Sequence, residues 1–164
     1  MWVAAALAVA LVSDPTDRLG PFRTALGFVP QRSRFAQAVR DSLEQVEQAG
    51  DWLDAHQRVH TMFGSYGHCR IYQEVGTLLV TARFATDVGH GIGLQVCQGN
   101  DTDSFGATAG SYLGSLLGPD AFDREHWTGR FGDRIHLALA TFHEQSLSAL
   151  ATRMAGLPGL LPRA

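Results

Sequence analysis

The residues best suited to chemistry in this 164-residue chain lie in the segment 99–110, GNDTDSFGATAG, where two carboxylates stand two positions apart. Neighbouring carboxylates repel each other, and a divalent cation between them removes that repulsion. Hard cations such as Mg²⁺ prefer oxygen ligands, and Asp101, Asp103 and the Ser104 hydroxyl can present three oxygens to one side. Helix capping explains the same acids equally well, because Asp is favoured at helix N-termini.

A run of small residues follows the acids, with glycine at every fourth position: Gly106, Gly110, Gly114 and Gly118. On a helix these four positions form one face without side chains. Each glycine in a helix interior costs about 1 kcal/mol relative to alanine, so such a face indicates the close approach of another helix. We expect tight helix–helix packing that fixes where the carboxylates point. The alternative is that this face serves ordinary core packing and that no functional site lies at the end of the helix.

Apolar residues recur at helical spacing almost throughout the chain, and no stretch alternates with a period of two. Glycine, proline and capping residues such as Asp51 mark the ends of these stretches. The pattern predicts an all-α fold, a helical bundle. The predicted helices span residues 2–12, 17–26, 33–49, 52–62, 71–85, 87–98, 103–118, 133–142 and 146–154, with a single turn at 122–127.

Composition indicates a globular protein, since 45% of the residues are apolar and 18% are charged. The net charge of −3 offers no attraction for nucleic acid or an anionic membrane, so neither is an expected partner. Cys69 and Cys97 form no disulfide framework, and we expect a cytoplasmic protein with buried, reduced thiols. The apolar run at 2–12 is too short to cross a bilayer and lacks a preceding basic residue, which predicts a buried helix.

The stretch QGNDTDSFGATAGSYLGSLLG, residues 98–118, resembles the C-terminal signature of the ADP-ribosylglycohydrolase family, whose members carry Gly-x-Asp-Thr-Asp before a Gly/Ala-rich helix. The D-T-D-S segment is the specific part of this resemblance. Supporting similarity covers essentially the whole chain. It includes residues 4–12, the segment ALGFVPQRSRF, residues 68–80, Trp127, the segment FGDRI and residues 148–154.

The resemblance implies an all-helical fold, two magnesium ions, and hydrolysis of the glycosidic bond that joins ADP-ribose to a protein or another acceptor. Under it, Asp101, Asp103 and Ser104 are metal ligands, with Ser104 standing where Thr is more common. The residues expected to contact the substrate are Gly99, Asn100, Gly106, His68 and Tyr72. His68 and Tyr72 also have ordinary structural explanations, as a loop histidine and a packed ring. The resemblance assigns no catalytic residue.

The chain departs from the family pattern in its first part, where members carry a Thr-Asp-Asp cluster. Neither TDR at 16–18 nor SDP at 13–15 reproduces that cluster, and family members are roughly twice as long as this chain. We therefore expect one partial domain at 1–155 and a C-terminal tail at 156–164. With one of two ligand clusters, this chain alone is expected to hydrolyse ADP-ribose linkages weakly or not at all.

Two other functions fit the same residues. The chain could be a non-catalytic module that binds ADP-ribose or a nucleotide and completes its site with a separate N-terminal half or by self-association. In that case, as for the enzyme, the expected partner is an ADP-ribosylated protein or small molecule. The third possibility is a helical bundle whose acids cap a helix and form no site.

Overall fold

The computed structural model describes residues 1–121, 123–138 and 144–160, and helices dominate it, which confirms the predicted all-α class. The chain divides into two compact units, residues 1–122 and 123–164. Short 3₁₀ turns follow the second and seventh helices of the first unit, at Leu26–Phe28 and Pro119–Ala121. The helices of the first unit are α1 (Trp2–Ala10), α2 (Gly20–Ala25), α3 (Arg34–Gln48), α4 (Trp52–Phe63), α5 (Ile71–Phe84), α6 (Val88–Cys97) and α7 (Thr102–Leu117).

Side-chain caps begin three of these helices at the predicted places. The side-chain oxygens of Ser33, Asp51 and Asp87 each accept a hydrogen bond from the backbone N–H three positions along, in α3, α4 and α6 respectively. The capping role predicted for Asp51 is therefore confirmed. Each such cap stabilises its helix by about 1 kcal/mol, because it satisfies an N–H that has no partner within the helix.

Helix α5 is the centre of the first unit and packs against α3, α4, α6 and α7. Its apolar residues Val75, Leu78 and Val80 are at most 1% exposed. A helix covered on so many sides is normally apolar all round, yet α5 also buries the hydroxyls of Thr77 and Thr81, which are at most 2% exposed. Buried hydroxyls need hydrogen-bond partners in the core, and they find them on α6 as described below.

Helix α1 buries one face and not its whole circumference. Trp2, Ala6 and Ala10 are at most 2% exposed, whereas Leu11 and Val12, just beyond the helix end, are 69% and 86% exposed. The predicted N-terminal helix is therefore shorter than expected and covered along a single stripe. Among the described residues, none of the helices combines the length and the hydropathy needed to cross a membrane.

A chain of aromatic contacts joins α1 and α2 to α7. The indole N–H of Trp2 donates to the backbone carbonyl of Phe22 at 3.2 Å, and the Phe22 ring stacks on Tyr112 with 4.1 Å between centroids. The Tyr112 hydroxyl in turn donates to the backbone carbonyl of Arg18 at 2.7 Å. Burial raises the pKa of Tyr112, so this hydroxyl keeps its proton and remains a donor.

The glycine row of α7 makes the close helix contact that its spacing predicts at only two of its four positions. A Cβ at Gly110 would lie 3.1 Å from a side chain of α6, and a Cβ at Gly106 would lie 3.6 Å from another. At Gly114 and Gly118 a Cβ would meet no described atom within 4 Å, and Gly118 instead ends the helix with φ of 79°. The prediction is wrong for these two positions because the side chains of α6 reach only the first two glycines.

Closer helix contacts are made by two glycines outside that row. A Cβ at Gly76 of α5 would lie 2.3 Å from Cγ1 of Val59 in α4. A Cβ at Gly91 of α6 would lie 2.0 Å from Cδ1 of Leu113 in α7. Both distances are well below van der Waals contact, so these two positions let neighbouring helices approach α5 and α7 more closely than alanine would allow.

The second unit is smaller and mixes short helices with a two-stranded sheet. Its elements are α8 (Arg124–Thr128), β1 (Arg134–His136), β2 (Glu144–Ser146) and α9 (Leu147–Gly156), with 3₁₀ turns at Gly129–Phe131 and Leu157–Leu160. The strands are antiparallel, with Arg134 opposite Ser146. Helix α9 confirms the helix predicted at 146–154.

The helix predicted over 133–142 is wrong at its start, because residues 134–136 form β1. Gly132 and Asp133 have φ angles of 53° and 61°, and two such residues break a right-handed helix. Hydrogen bonds from the Ser146 and Ser148 side chains and the Ser148 backbone N–H hold Asp133 in this turn and lower its pKa. The rest of the predicted helix, at 139–142, lies outside the described residues.

Replacing Gly76 with alanine should destabilise the first unit. The added methyl would overlap Val59, which is 2% exposed and whose branched side chain has little rotational freedom. We expect Gly76→Ala to lower the free energy of unfolding by roughly 1–3 kcal/mol, measured by urea denaturation.

Gly93→Ala in α6 is the matched control for this substitution. No described atom lies within 4 Å of a Cβ at Gly93, and alanine is the better helix former. We expect this variant to raise the free energy of unfolding by up to about 1 kcal/mol. Equal effects of the two substitutions would contradict the close contact between α4 and α5.

Candidate functional site

The segment with the paired acids begins in an unusual turn. After α6 ends, Gly99 and Asn100 both have positive φ angles, of 74° and 65°. Glycine adopts this conformation freely and asparagine more readily than most residues, so the sequence GN suits the turn. Two left-handed residues in succession reverse the chain direction and place Asp101 at the start of α7.

Asp101 occupies the N-cap position of α7 without acting as a side-chain cap. Its backbone angles, φ −85° and ψ 82°, differ from the extended conformation of the capping residues Asp51 and Asp87. Within the described part of the chain, its carboxylate accepts no capping hydrogen bond from the first turn of α7. Capping therefore does not explain Asp101, which leaves its carboxylate available for another role.

The Asp101 carboxylate is instead directed at other side chains of the site. Hydrogen bonding with Asp103, and then with the Ser104 hydroxyl, lowers the pKa of Asp101. The Cys69 thiol and the charge of the His68 imidazole act in the same direction. The two carboxylates thus lie within hydrogen-bonding reach of each other, where they repel when both are ionised.

The oxygen atoms of this group are accessible to solvent. Asp103 and Ser104 are exposed, and Asp101 is half-buried. Two carboxylates and a hydroxyl are a donor set that Mg²⁺ accepts, with water filling the remaining positions. Among the described residues, no group of three or more His, Cys, Asp or Glu side chains could hold a metal ion.

A buried network of hydroxyls and amides lies between α5 and α6, below the turn at Gly99. The Thr81 hydroxyl donates to Gln95 Oε1 at 2.8 Å, and the Gln95 amide donates to Thr77 Oγ1 at 2.8 Å. The Gln98 amide donates to Thr81 Oγ1 at 2.9 Å and to the Thr77 carbonyl at 3.0 Å. Because Gln98 directly precedes the turn, this network fixes where the turn begins.

A second contact ties α7 to α5 near the acids. The single proton of the Thr108 hydroxyl is shared between two acceptors, Glu74 Oε1 at 3.0 Å and the backbone carbonyl oxygen of Ser104 at 3.0 Å. Glu74 is in the first turn of α5 and Thr108 is in the second turn of α7. The first turn of α5 is therefore held beside the second turn of α7, one turn away from the acids.

The predicted substrate-contacting residues have different places in the structure. Gly99 and Asn100 form the turn next to the acids, and His68 faces Asp101 from the loop before α5. Gly106 is buried on the side of α7 that faces α6. Tyr72 packs against aromatic rings of the α4 end and the following loop, with 4.8 Å between its centroid and that of Tyr66.

The prediction of buried thiols is wrong, because both cysteines are free and exposed. Cys97 ends α6, where Val96 beside it is 45% exposed. Cys69 lies in the exposed loop before α5 and contacts Asp101. Partial removal of water and then the negative charge of Asp101 raise the pKa of the Cys69 thiol. Cys69 thus belongs to the site, although no spacing in the sequence connects it to the acids.

Sequence reasoning also missed the network between α5 and α6. The sequence does contain a pattern that indicates this network, because Thr77 and Thr81 are four residues apart and Gln95 and Gln98 are three residues apart. Each pair therefore lies on one helix face, within an otherwise apolar stretch. Two polar pairs of this kind indicate facing helices that satisfy each other's hydrogen bonds.

Comparison with known proteins shows the family of this chain. A family model described as ADP-ribosylglycohydrolase matches residues 1–157, which include all of the first unit and most of the second. No curated protein and no solved structure matches the chain. The matched range contains the acids, the turn before them and the Cys69 loop.

Removing the central glutamine of the network should destabilise the first unit. In Gln95→Met the side chain keeps its length but leaves the buried hydroxyls of Thr77 and Thr81 without one partner each. We expect the free energy of unfolding to fall by about 2 kcal/mol or more, measured by urea denaturation. Gln57→Met, at an exposed position of α4, should change it by less than about 0.5 kcal/mol. Similar losses in both variants would show that the network contributes nothing.

The contact between Cys69 and Asp101 can be measured through thiol reactivity. In Asp101→Asn the negative charge beside the thiol is lost, so more of Cys69 is thiolate at mildly alkaline pH. We expect iodoacetamide to alkylate Cys69 at least about twofold faster relative to Cys97, as quantified by mass spectrometry of peptides. Asp120→Asn, at an exposed acid of the turn after α7, should leave the ratio unchanged. An unchanged ratio in Asp101→Asn would show that the two side chains are not neighbours.

Proposed function

Because the chain belongs to the ADP-ribosylglycohydrolase family, we propose that it is a magnesium-dependent hydrolase for the glycosidic bond between ADP-ribose and a protein or another acceptor. The observation that supports this most directly is the orientation of Asp101. Its carboxylate leaves the capping position of α7 and lies beside Asp103 and Ser104. A pair of acids held together in this way is the arrangement that a divalent cation stabilises.

The residues that would hold the metal in this proposal are Asp101, Asp103 and Ser104. All three belong to the start of one helix, so their spacing is set by the backbone of α7. A bound magnesium ion would supply Lewis-acid chemistry, polarising substrate oxygens and lowering the pKa of a bound water. The exposure of Asp103 and Ser104 leaves room for a substrate to approach.

The other residues of the site would position the substrate. Gly99 and Asn100 expose backbone next to the acids, and Gly99 has no side chain to obstruct an approaching sugar hydroxyl. His68 and Cys69 border the same acids from the loop before α5. The imidazole of His68, when protonated, adds a positive charge that suits a phosphate-bearing substrate.

The small number of ligands argues for weak activity of this chain by itself. Mg²⁺ favours six oxygen ligands in octahedral geometry, and three side-chain oxygens leave half or more of that shell to water. Among the described residues, no group of three or more His, Cys, Asp or Glu side chains is placed to hold a metal ion. We therefore propose low magnesium affinity and slow or undetectable hydrolysis unless further ligands are supplied.

The same ligand count favours a second candidate function. The chain could act as a non-catalytic module that binds ADP-ribose or a nucleotide and completes its site with a separate N-terminal half. The exposed oxygens of Asp103 and Ser104 would then be available to ligands from that partner. Both proposals use the same acids and differ in whether hydrolysis appears once the site is complete.

The proposal is tested by magnesium titration and by a hydrolysis assay. Isothermal calorimetry should show magnesium binding with a dissociation constant near the millimolar range, which Asp101→Asn abolishes and Asp120→Asn preserves. Incubation with an ADP-ribosylated peptide should release ADP-ribose slowly, with a dependence on magnesium, as followed by mass spectrometry. Binding unaffected by Asp101→Asn would remove the metal site from the proposal.

The outcome of the hydrolysis assay separates the two candidates. Release of ADP-ribose that requires magnesium and Asp101 supports the hydrolase. Efficient release by this chain alone would contradict the argument from ligand count. Tight binding of ADP-ribose without release, even after a polypeptide with a Thr-Asp-Asp cluster is added, would overturn the hydrolase and support the binding module.

A further inference from the structure

A polar cleft of about 330 Å³ lies away from the acids, where the loop before α2 meets the ends of α3 and α5. Arg83 lies in the last turn of α5, nine residues after Glu74, or about 14 Å along the helix from the site at α7. The cleft is therefore separate from the site with the paired acids. Its lining residues are Thr16, Asp17, Arg18, Leu19, Arg23, Glu47 and Arg83.

The two acids of the cleft are already occupied by hydrogen bonds and one arginine. Glu47 pairs with Arg23 at 2.5 Å, and Asp17 lies 3.7 Å from the same guanidinium. Asp17 also accepts the backbone N–H of Gly20 at 2.8 Å. One guanidinium thus uses both carboxylates, and two further arginines remain in the cleft.

Neither Arg18 nor Arg83 has an acid partner among the residues that the structure describes. The Nη1 atom of Arg18 is buried and has no hydrogen-bond partner there. The guanidinium of Arg83 lies 5.5 Å from the Phe84 ring centroid, a contact that orients it without neutralising it. A buried cationic N–H without an acceptor is unfavourable, and an oxyanion in the cleft would offset that cost.

The backbone that carries Arg18 is held in place from inside the core. The Arg18 carbonyl accepts a hydrogen bond from Tyr112 at 2.7 Å, and Tyr112 is 1% exposed. Leu19, the next residue, is 4% exposed. Arg18 therefore extends from a fixed point of the loop, which reduces the entropy lost when its guanidinium binds a ligand.

We propose that this cleft is a binding site for a phosphate monoester, held by the guanidinium groups of Arg18 and Arg83. Guanidinium groups bind phosphate oxygens through paired N–H donors, and two of them match the double negative charge of a monoester. The volume of the cleft exceeds that of one phosphate group, which leaves room for the group esterified to it. This site is independent of the hydrolase proposed above.

The probes are inorganic phosphate and phenyl phosphate, titrated at constant ionic strength into the full chain. Binding is followed by calorimetry and by the NMR signals of the arginine Nε–H groups. Both probes should bind and shift the Nε–H signals of Arg18 and Arg83. Arg83→Gln, an exposed change with little risk to folding, should weaken binding by about tenfold, as should Arg18→Gln.

The controls distinguish a built site from a general effect of charge. Arg32→Gln removes the same charge at an exposed loop position and should change phosphate affinity by less than about twofold. Asp101→Asn should leave phosphate binding intact even if the hydrolase proposal fails. Equal losses in Arg32→Gln and Arg83→Gln, no binding at millimolar phosphate, or acetate binding as tightly as phosphate would each overturn the proposal.

Discussion

Two threonines of α5 share buried hydrogen bonds with Gln95 of α6 and with Gln98 just after it, and these bonds fix how the two helices pack against each other. Gln95 is fully buried, so its amide cannot turn to solvent if either helix shifts. If α5 and α6 shifted along each other, hydrogen-bond donors and acceptors would be left unpaired in the core, and each unpaired group would lower the free energy of unfolding by about 1–3 kcal/mol. Gln98 extends the same network to the last residue before the turn, and a second contact, from Thr108 to Glu74, ties α5 to α7.

This rigidity matters because the site brings like charges together. Asp101 and Asp103 lie within reach of each other at the start of a helix, where the helix dipole offsets part of their repulsion. A flexible turn would let the carboxylates separate and would remove the favourable placement for a cation. The left-handed Gly99 and Asn100 and the network below them therefore act as the support of the candidate metal ligands.

Helical spacing and capping residues were sufficient to predict the all-α class and the start of α4 at Asp51. The acids were found from residue type and spacing, and the family match supports the resemblance built on them. Contacts between segments that are far apart in the sequence could not be predicted from residue type and spacing. Cys69 meets Asp101 across 32 positions, and the exposure of both thiols depends on loop paths that composition does not encode. Residues 134–136 do not continue a helix because Gly132 and Asp133 before them have left-handed backbone angles. The helical spacing of the apolar residues gave no indication of those angles.

The burial of α5 also sets which parts of the first unit can open by themselves. Its central residues, from Val75 to Val80, are covered by four helices. Their amide hydrogens exchange with deuterium only when those helices separate, so their exchange rates report the opening of the whole unit. The N–H groups of the half-buried turn at Gly99 and Asn100 need no such event. Deuterium uptake at the turn can therefore follow ligand contact while the core stays closed.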